Sequence, residues 1–197
     1  MILPPATFSL YHLKSLNVYV RVIKDVFLCP TNYYEFIGER DMAIDKVKAY
    51  FKEFGIEDRV QEFEVSSATV ALAAQALNCE ECRIAKTLSF HVNDKVVLIV
   101  AAGDAKIDNP KYKAQFACKA KMLAFEEAES LIGHAVGGVC PFAVNEGVEV
   151  YLDASLKRFE TVFPACGSSN SAIELTLEEL EKYSNSLAWI DVCKLPA

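Results

Sequence analysis

Two runs of β-branched and apolar residues, Thr87–Val92 and Lys95–Ala102, are separated only by Asn93-Asp94. Asn and Asp tolerate the tight turns that send a strand back along itself, so the pair predicts a β-hairpin. The rest of the chain has to be arranged around it. On the N-terminal side, Ile44, Val47, Phe51 and Phe54 recur at the three-to-four spacing of an amphipathic helix, with Gly55 as its stop. Val60–Val65 reads as a strand, Ser67 as the cap of a helix running through Leu77, and Glu80–Ala85 as a helical turn leading into the hairpin.

Beyond the hairpin, Pro110–Phe116 predicts a short helix with Pro in its first turn, and Lys119–Ala124 predicts a strand. Phe125–Ile132 predicts a helix ended by Gly133. Val148–Leu152, Glu160–Pro164 and Ala172–Leu175 are short apolar strands. Thr176 then caps a helix over Leu177–Tyr183, with Glu178 and Glu179 favourably placed in its first turn. Strands joined by hairpins, with helices between them and no regular βαβ repeat, predict a mixed α/β (α+β) fold. Its sheet is mixed or largely antiparallel, with helices packed outside.

Residues 1–41 lack such periodicity. Their basic residues (Lys14, Arg21, Lys24, Arg40) cancel their acidic ones (Asp25, Glu35, Glu39, Asp41), so the whole formal charge of −7 falls beyond them. Two readings stand: an N-terminal extension from a mis-assigned start, with Met42 the true one, or an extra element that covers the core. Residues 42–197 form the patterned domain. An acidic chain repels a phosphate backbone, which argues against a generic duplex-DNA binder but not against capture of one nucleotide end in a pocket. The seven scattered cysteines are odd in number and make no framework, as expected for reduced thiols in the cytoplasm. No apolar run is long enough to span a bilayer.

Familiar catalytic signatures are missing. Cys79-Glu80-Glu81-Cys82 has the spacing of half a zinc site, but no second pair follows, so no metal or other cofactor is expected. His12, His91 and His134 do not cluster. Three segments remain. Lys86 sits in Ile84-Ala85-Lys86-Thr87-Leu88, where an ammonium among apolar residues either snorkels or serves a purpose. Gly133-His134-Ala135-Val136-Gly137-Gly138-Val139-Cys140-Pro141-Phe142 is either a tight turn or a loop whose backbone donors receive a carbonyl. Cys166-Gly167-Ser168-Ser169-Asn170-Ser171 is either a hydroxyl-rich turn or a set of small donors to a polar ligand.

In their order and spacing these segments resemble the YbaK/EbsC family, the prolyl-tRNA synthetase-associated editing domains, from Met42 onward. The resemblance implies a curved sheet and hydrolysis of the ester joining a wrong amino acid to the 3′ end of a tRNA, without metal or protein nucleophile. It implies that Lys86 anchors the substrate end, and that Gly137 and Gly138 receive the aminoacyl carbonyl. His134, Val139, Cys140 and Pro141, with Gly167, Ser168 and Ser169, would contact substrate. The implied partners are the acceptor end of aminoacylated tRNA and an aminoacyl-tRNA synthetase. Three departures stand out: Cys140 before Pro141 in place of Ser, Thr or Gly, Ala143 where many members have Gly, and no basic residue in the Gly167–Asn170 turn. An alternative of another class is a non-catalytic module that binds the same RNA end or a synthetase.

Overall fold

The computed structural model describes residues 43–196. Both readings of residues 1–41, and the alternative start at Met42, lie outside the described residues. The first helix, α1, is helical over 43–52; it buries Ile44, Val47 and Phe51 as its periodicity requires. Phe54 falls in the turn beyond the helix and is 37% exposed, contrary to its expected place on the buried face. A 3-10 turn, Glu57–Arg59, precedes β1 (Gln61–Glu62), which is shorter than the expected Val60–Val65 strand. Helix α2 (Val70–Leu77) is capped by Thr69, whose side chain accepts from the Leu72 amide, and not by Ser67. The Ser67 amide instead donates to the Ser169 carbonyl at 2.6 Å, so this residue is committed to a loop before the helix starts.

After a second 3-10 turn, Glu81–Arg83, come β2 (Ile84–Val92) and β3 (Lys95–Ala102), paired antiparallel from Ala85↔Ala102 to Val92↔Lys95. Asn93 turns the hairpin at φ 53°, a conformation Asn tolerates better than most residues. β4 (Lys106–Ile107) leads into α3 (Asn109–Phe116), capped by Asp108 and with Pro110 in its first turn. β5 is only Lys121–Met122, shorter than the expected Lys119–Ala124. Helix α4 (Phe125–Ile132) follows and ends at Gly133 with φ 91°, as its sequence signals.

The remainder is strand-rich as expected: β6 (Glu149–Asp153), a 3-10 turn at Ala154–Arg158, β7 (Thr161–Pro164), β8 (Ser171–Ala172) and β9 (Leu175–Thr176). The expected single strand Ala172–Leu175 is thus split in two. Helix α5 (Leu177–Ser184) carries a complete capping box between Thr176 and Glu179, and β10 (Ala188–Ile190) and β11 (Cys193–Lys194) close the chain.

The main sheet runs β10-β6-β3-β2-β7-β9, with β5 added beside β2, and curls into a half-barrel. Of the two sheet types expected, it is the mixed one. The pairs β10–β6, β6–β3 and β2–β7 are parallel, and β2–β3, β2–β5 and β7–β9 antiparallel. Parallel neighbours need long crossovers, and α3 and α4 both lie in the one joining β3 to β6. The central strand β3 is buried from Val97 to Ala102. Asp153 closes the C-terminal end: its carboxylate is 1% exposed and accepts from the amides of Ser155, Val192 and Cys193. Three charge-assisted bonds compensate a carboxylate removed from water.

Candidate active site

A cleft of about 350 Å³ opens beside β2. Its floor is Ala73, Ile84 and Phe163, which with Ala74 form the small apolar cluster by which α2 packs on the β2–β7 pair. The small side chains of α2 let that helix lie close to the sheet. Its leading residues, Ser67 to Val70, consequently form one wall. Thr87 and Ser89, alternate residues of β2, project from another. Met122, Phe125 and Ala128 form the third, and Val136, Gly137 and Val139 the fourth.

Lys86 lines this cleft, but its ammonium donates to the carbonyls of Gly103 at 2.8 Å and Ala105 at 2.5 Å, neither of which is on the cleft wall. Burial pushes its pKa below the usual lysine value, partly offset by the attraction of Cys193 and Asp104. Two of the three ammonium donors are therefore spent on backbone, leaving one.

The two glycine loops meet. Ala135 accepts from the Gly138 amide at 3.0 Å in a four-residue turn with Gly137 at φ 97°, the conformation a type II turn asks of its third residue. A Cβ on Gly138 would lie 2.7 Å from the Gly167 carbonyl oxygen, so only glycine permits this approach. The amides of Gly138 and Cys140 are consumed, the first by Ala135 and the second by His134 Nδ1 at 3.4 Å. Those of Gly137 and Val139 donate to no described residue.

Several residues expected to touch substrate do not line the cleft. His134, Cys140 and Phe142 are fully buried, and Phe142 packs on Phe51 with ring centroids 4.8 Å apart. The side chains of His134 and Cys140, expected to contact substrate, have no accessible surface and support the loop from beneath. Burial lowers the His134 pKa to about 4 and raises the Cys140 thiol to about 12, so both are neutral at pH 7. Pro141, Gly167, Ser168 and Ser169 also stay off the wall. Ser168 spends its hydroxyl on Asn170 and Ser171, and the Ser169 carbonyl gathers Ser66 and Ser67. The Gly167–Ser169 loop is thus a bracket that fixes the approach to α2. Ala143 has φ 49°, a left-handed conformation that glycine adopts with less strain than alanine.

Sequence reading missed Thr69, Thr87, Ser89 and Phe125. Thr87 and Ser89 carried a signal in hindsight, as hydroxyls at alternate positions of a hairpin strand. Thr87 Oγ1 is enclosed and has no hydrogen-bond partner among the described residues. The polar side chains on the lining are hydroxyls (Ser67, Thr69, Thr87, Ser89, Ser171) and Lys86. Cys79, before the second 3-10 turn, and Cys82, within it, are free thiols whose pKa values burial raises, the opposite of an activated thiolate. Among the described residues no group of three or more His, Cys, Asp or Glu is placed to hold a metal ion.

The profile of the aminoacyl-tRNA editing domain matches residues 64–183, which contain the cleft and both loops. The chain belongs to that family. It is 56% identical over 154 residues to the uncharacterized protein YwhH of Bacillus subtilis (strain 168), covering 78% of this chain and 98% of that protein. It is 32% identical over 94 residues to a proline--tRNA ligase of Bacillus cytotoxicus, where the match covers 47% of this chain but only 16% of the ligase. The fold is shared with a crystal structure described as that of a candidate trans-editing enzyme for prolyl tRNA synthetase. The TM-score is 0.70 and the identity 26%, over 77% of this chain and 97% of the other. Membership in this family supports a part in aminoacyl-tRNA editing in general.

Proposed function

We propose that the protein is a deacylase that hydrolyses the ester of mischarged aminoacyl-tRNA in the cytoplasm. The observation that carries this reading is the Gly137 turn: Gly137 and Val139 line the cleft, and their amides have no partner among the described residues. Paired backbone donors of this kind stabilise the oxyanion that forms when an ester carbonyl is attacked. Water adds to the carbonyl carbon, the tetrahedral intermediate collapses, and the ribose oxygen leaves with a proton. The products are the free amino acid and a tRNA with its terminal hydroxyl restored. An aminoacyl ester is already activated, so orientation and oxyanion binding supply much of the rate. The remaining donor of Lys86 anchors the nucleotide end. This mechanism draws on no metal and no protein nucleophile.

A binding module is disfavoured by the open cleft, because Phe142 and Cys140 are withdrawn into the core and do not fill it. Docking on a synthetase would bring the acceptor end within reach. The test is a deacylation screen across tRNAs mischarged with small amino acids. One of them should be hydrolysed, and Lys86→Ala should slow that reaction by about 100-fold or more while the protein stays folded. Near-normal activity of Lys86→Ala would remove the lysine from the mechanism, and no hydrolysis of any substrate would favour the module.

A further inference from the structure

The charge of −7 is not spread evenly. Between residues 106 and 121 stand Lys106, Lys111, Lys113, Lys119 and Lys121, against the single acid Asp108. Lys111 is engaged with Asp191 at 2.7 Å. Lys113, Lys119 and Lys121 are exposed and make no ion pair with any described residue. Lys113 and Lys119 share a shallow surface groove where α3 meets the segment leading to β5. Lys121 lies across from His91 in the sheet, and its charge reaches Glu127 in the first turn of α4. That glutamate is already held by His91 at 3.0 Å and by the Ala124 amide at 2.8 Å, so it is poorly placed to cancel the lysine.

The strip ends at the cleft. Lys119 and Phe125 are six residues apart, a reach of at most about 20 Å of chain. Met122 and Phe125 both line the cleft and yet are 57% and 60% exposed. A large apolar side chain left open at the mouth of a cleft marks a contact surface, and an exposed aromatic ring offers a base a stacking face.

We propose that the acceptor end of the RNA reaches the cleft along Lys113, Lys119 and Lys121 and lays its terminal base on the ring of Phe125. The inference rests on the deacylase reading and deepens it by assigning the RNA path on an acidic protein. Phosphates follow the unpaired ammonium groups, the last base is held at the mouth, and the ester enters between Thr87 and the Gly137 turn.

The experiment measures fluorescence anisotropy of a labelled, uncharged tRNA acceptor minihelix at 50 and 200 mM salt, with circular dichroism of each variant as the folding control. Each phosphate contact to a single strand contributes about 0.7 to the slope of log affinity against log salt. The combined Lys113→Gln, Lys119→Gln, Lys121→Gln variant should therefore lose about 20-fold less affinity between those salts than the wild type does. Phe125→Ala should bind about tenfold more weakly with the salt slope unchanged, and Phe125→Trp should restore binding. An unchanged salt slope in the triple variant overturns the path, and undiminished binding by Phe125→Ala overturns the stack. Because the probe carries no ester, a chain that binds it as stated yet hydrolyses no aminoacyl-tRNA leaves the docking path standing and sinks the deacylase reading. A chain that deacylates normally with the triple variant unaffected in binding does the reverse.

Discussion

Lys86 spends two N–H donors on the carbonyls of Gly103 and Ala105, and this decides what can replace it. Its single nitrogen sits within 2.8 Å of both the Gly103 and Ala105 carbonyls. A planar guanidinium spreads its donors over a fork and cannot converge on that point. Lys86→Arg is therefore expected to stay close to Lys86→Ala in deacylation rate, and rescue to near wild-type activity would show that charge alone suffices. Gly138 is the second decisive residue. Its α-carbon faces the Gly167 carbonyl so closely that Gly138→Ala must part the two loops, shifting the unpartnered amides next to it. A loss of about 10- to 100-fold in deacylation is expected, with a lowered melting temperature. An active, fully stable Gly138→Ala protein would mean the loops tolerate separation. Both residues were legible in the sequence as candidates, but His134 and Cys140 looked equally eligible there. Nothing in a run such as Gly133–Phe142 says which side chains turn inward.

At the scale of elements, helix ends show how far local pattern reaches. Thr176, with Glu179 three residues on, forms the reciprocal capping box that its sequence announces. Thr176→Ala should lower the free energy of unfolding by about 1 kcal/mol, measured by urea titration, and leave deacylation unchanged. An unaltered midpoint would mean the cap contributes nothing beyond what water supplies. The start of α2 was misread because Ser66, Ser67 and Thr69 offer three hydroxyls in four residues. Only contact with the distant Ser169 carbonyl removes the serines from contention and leaves Thr69 as the cap. The short pairs β1, β5, β8 and β9 were overextended for a similar reason. Apolar composition marks where a strand can form, and the neighbouring strand decides how much of it pairs.

The whole molecule determines the charge state of its buried groups. His134 is enclosed by the core and its pKa falls from 6.5 to about 4. The unfolded chain binds that proton more readily than the folded one. The imidazole therefore adds no penalty above pH 6.5, and stability falls as pH drops from 6.5 toward 4. The gap is worth about 3 kcal/mol. In His134→Asn the amide oxygen can still accept from the Cys140 amide, and the group no longer titrates. Urea midpoints at pH 7 and pH 4.5 should then differ much less in His134→Asn than in the wild type. An equal drop in both would place the acid sensitivity elsewhere.

By itself the sequence determined the β2–β3 hairpin, the five described helices to within about two residues, and the family to which the chain belongs. These follow from turn chemistry, apolar periodicity and the order of three short segments, which are local or linear properties. The tertiary structure decided the parallel pairings, because β3 and β6 are separated by the length of two helices and no periodicity records which strands become neighbours. It also decided the site. Thr87, Ser89 and Phe125 joined it through β2 and α4, whereas Ser168 and Ser169 were diverted into bracing α2. Which backbone donors remain unspent is likewise settled only when both glycine loops are in contact, since each amide finds its partner, or fails to, in the folded chain.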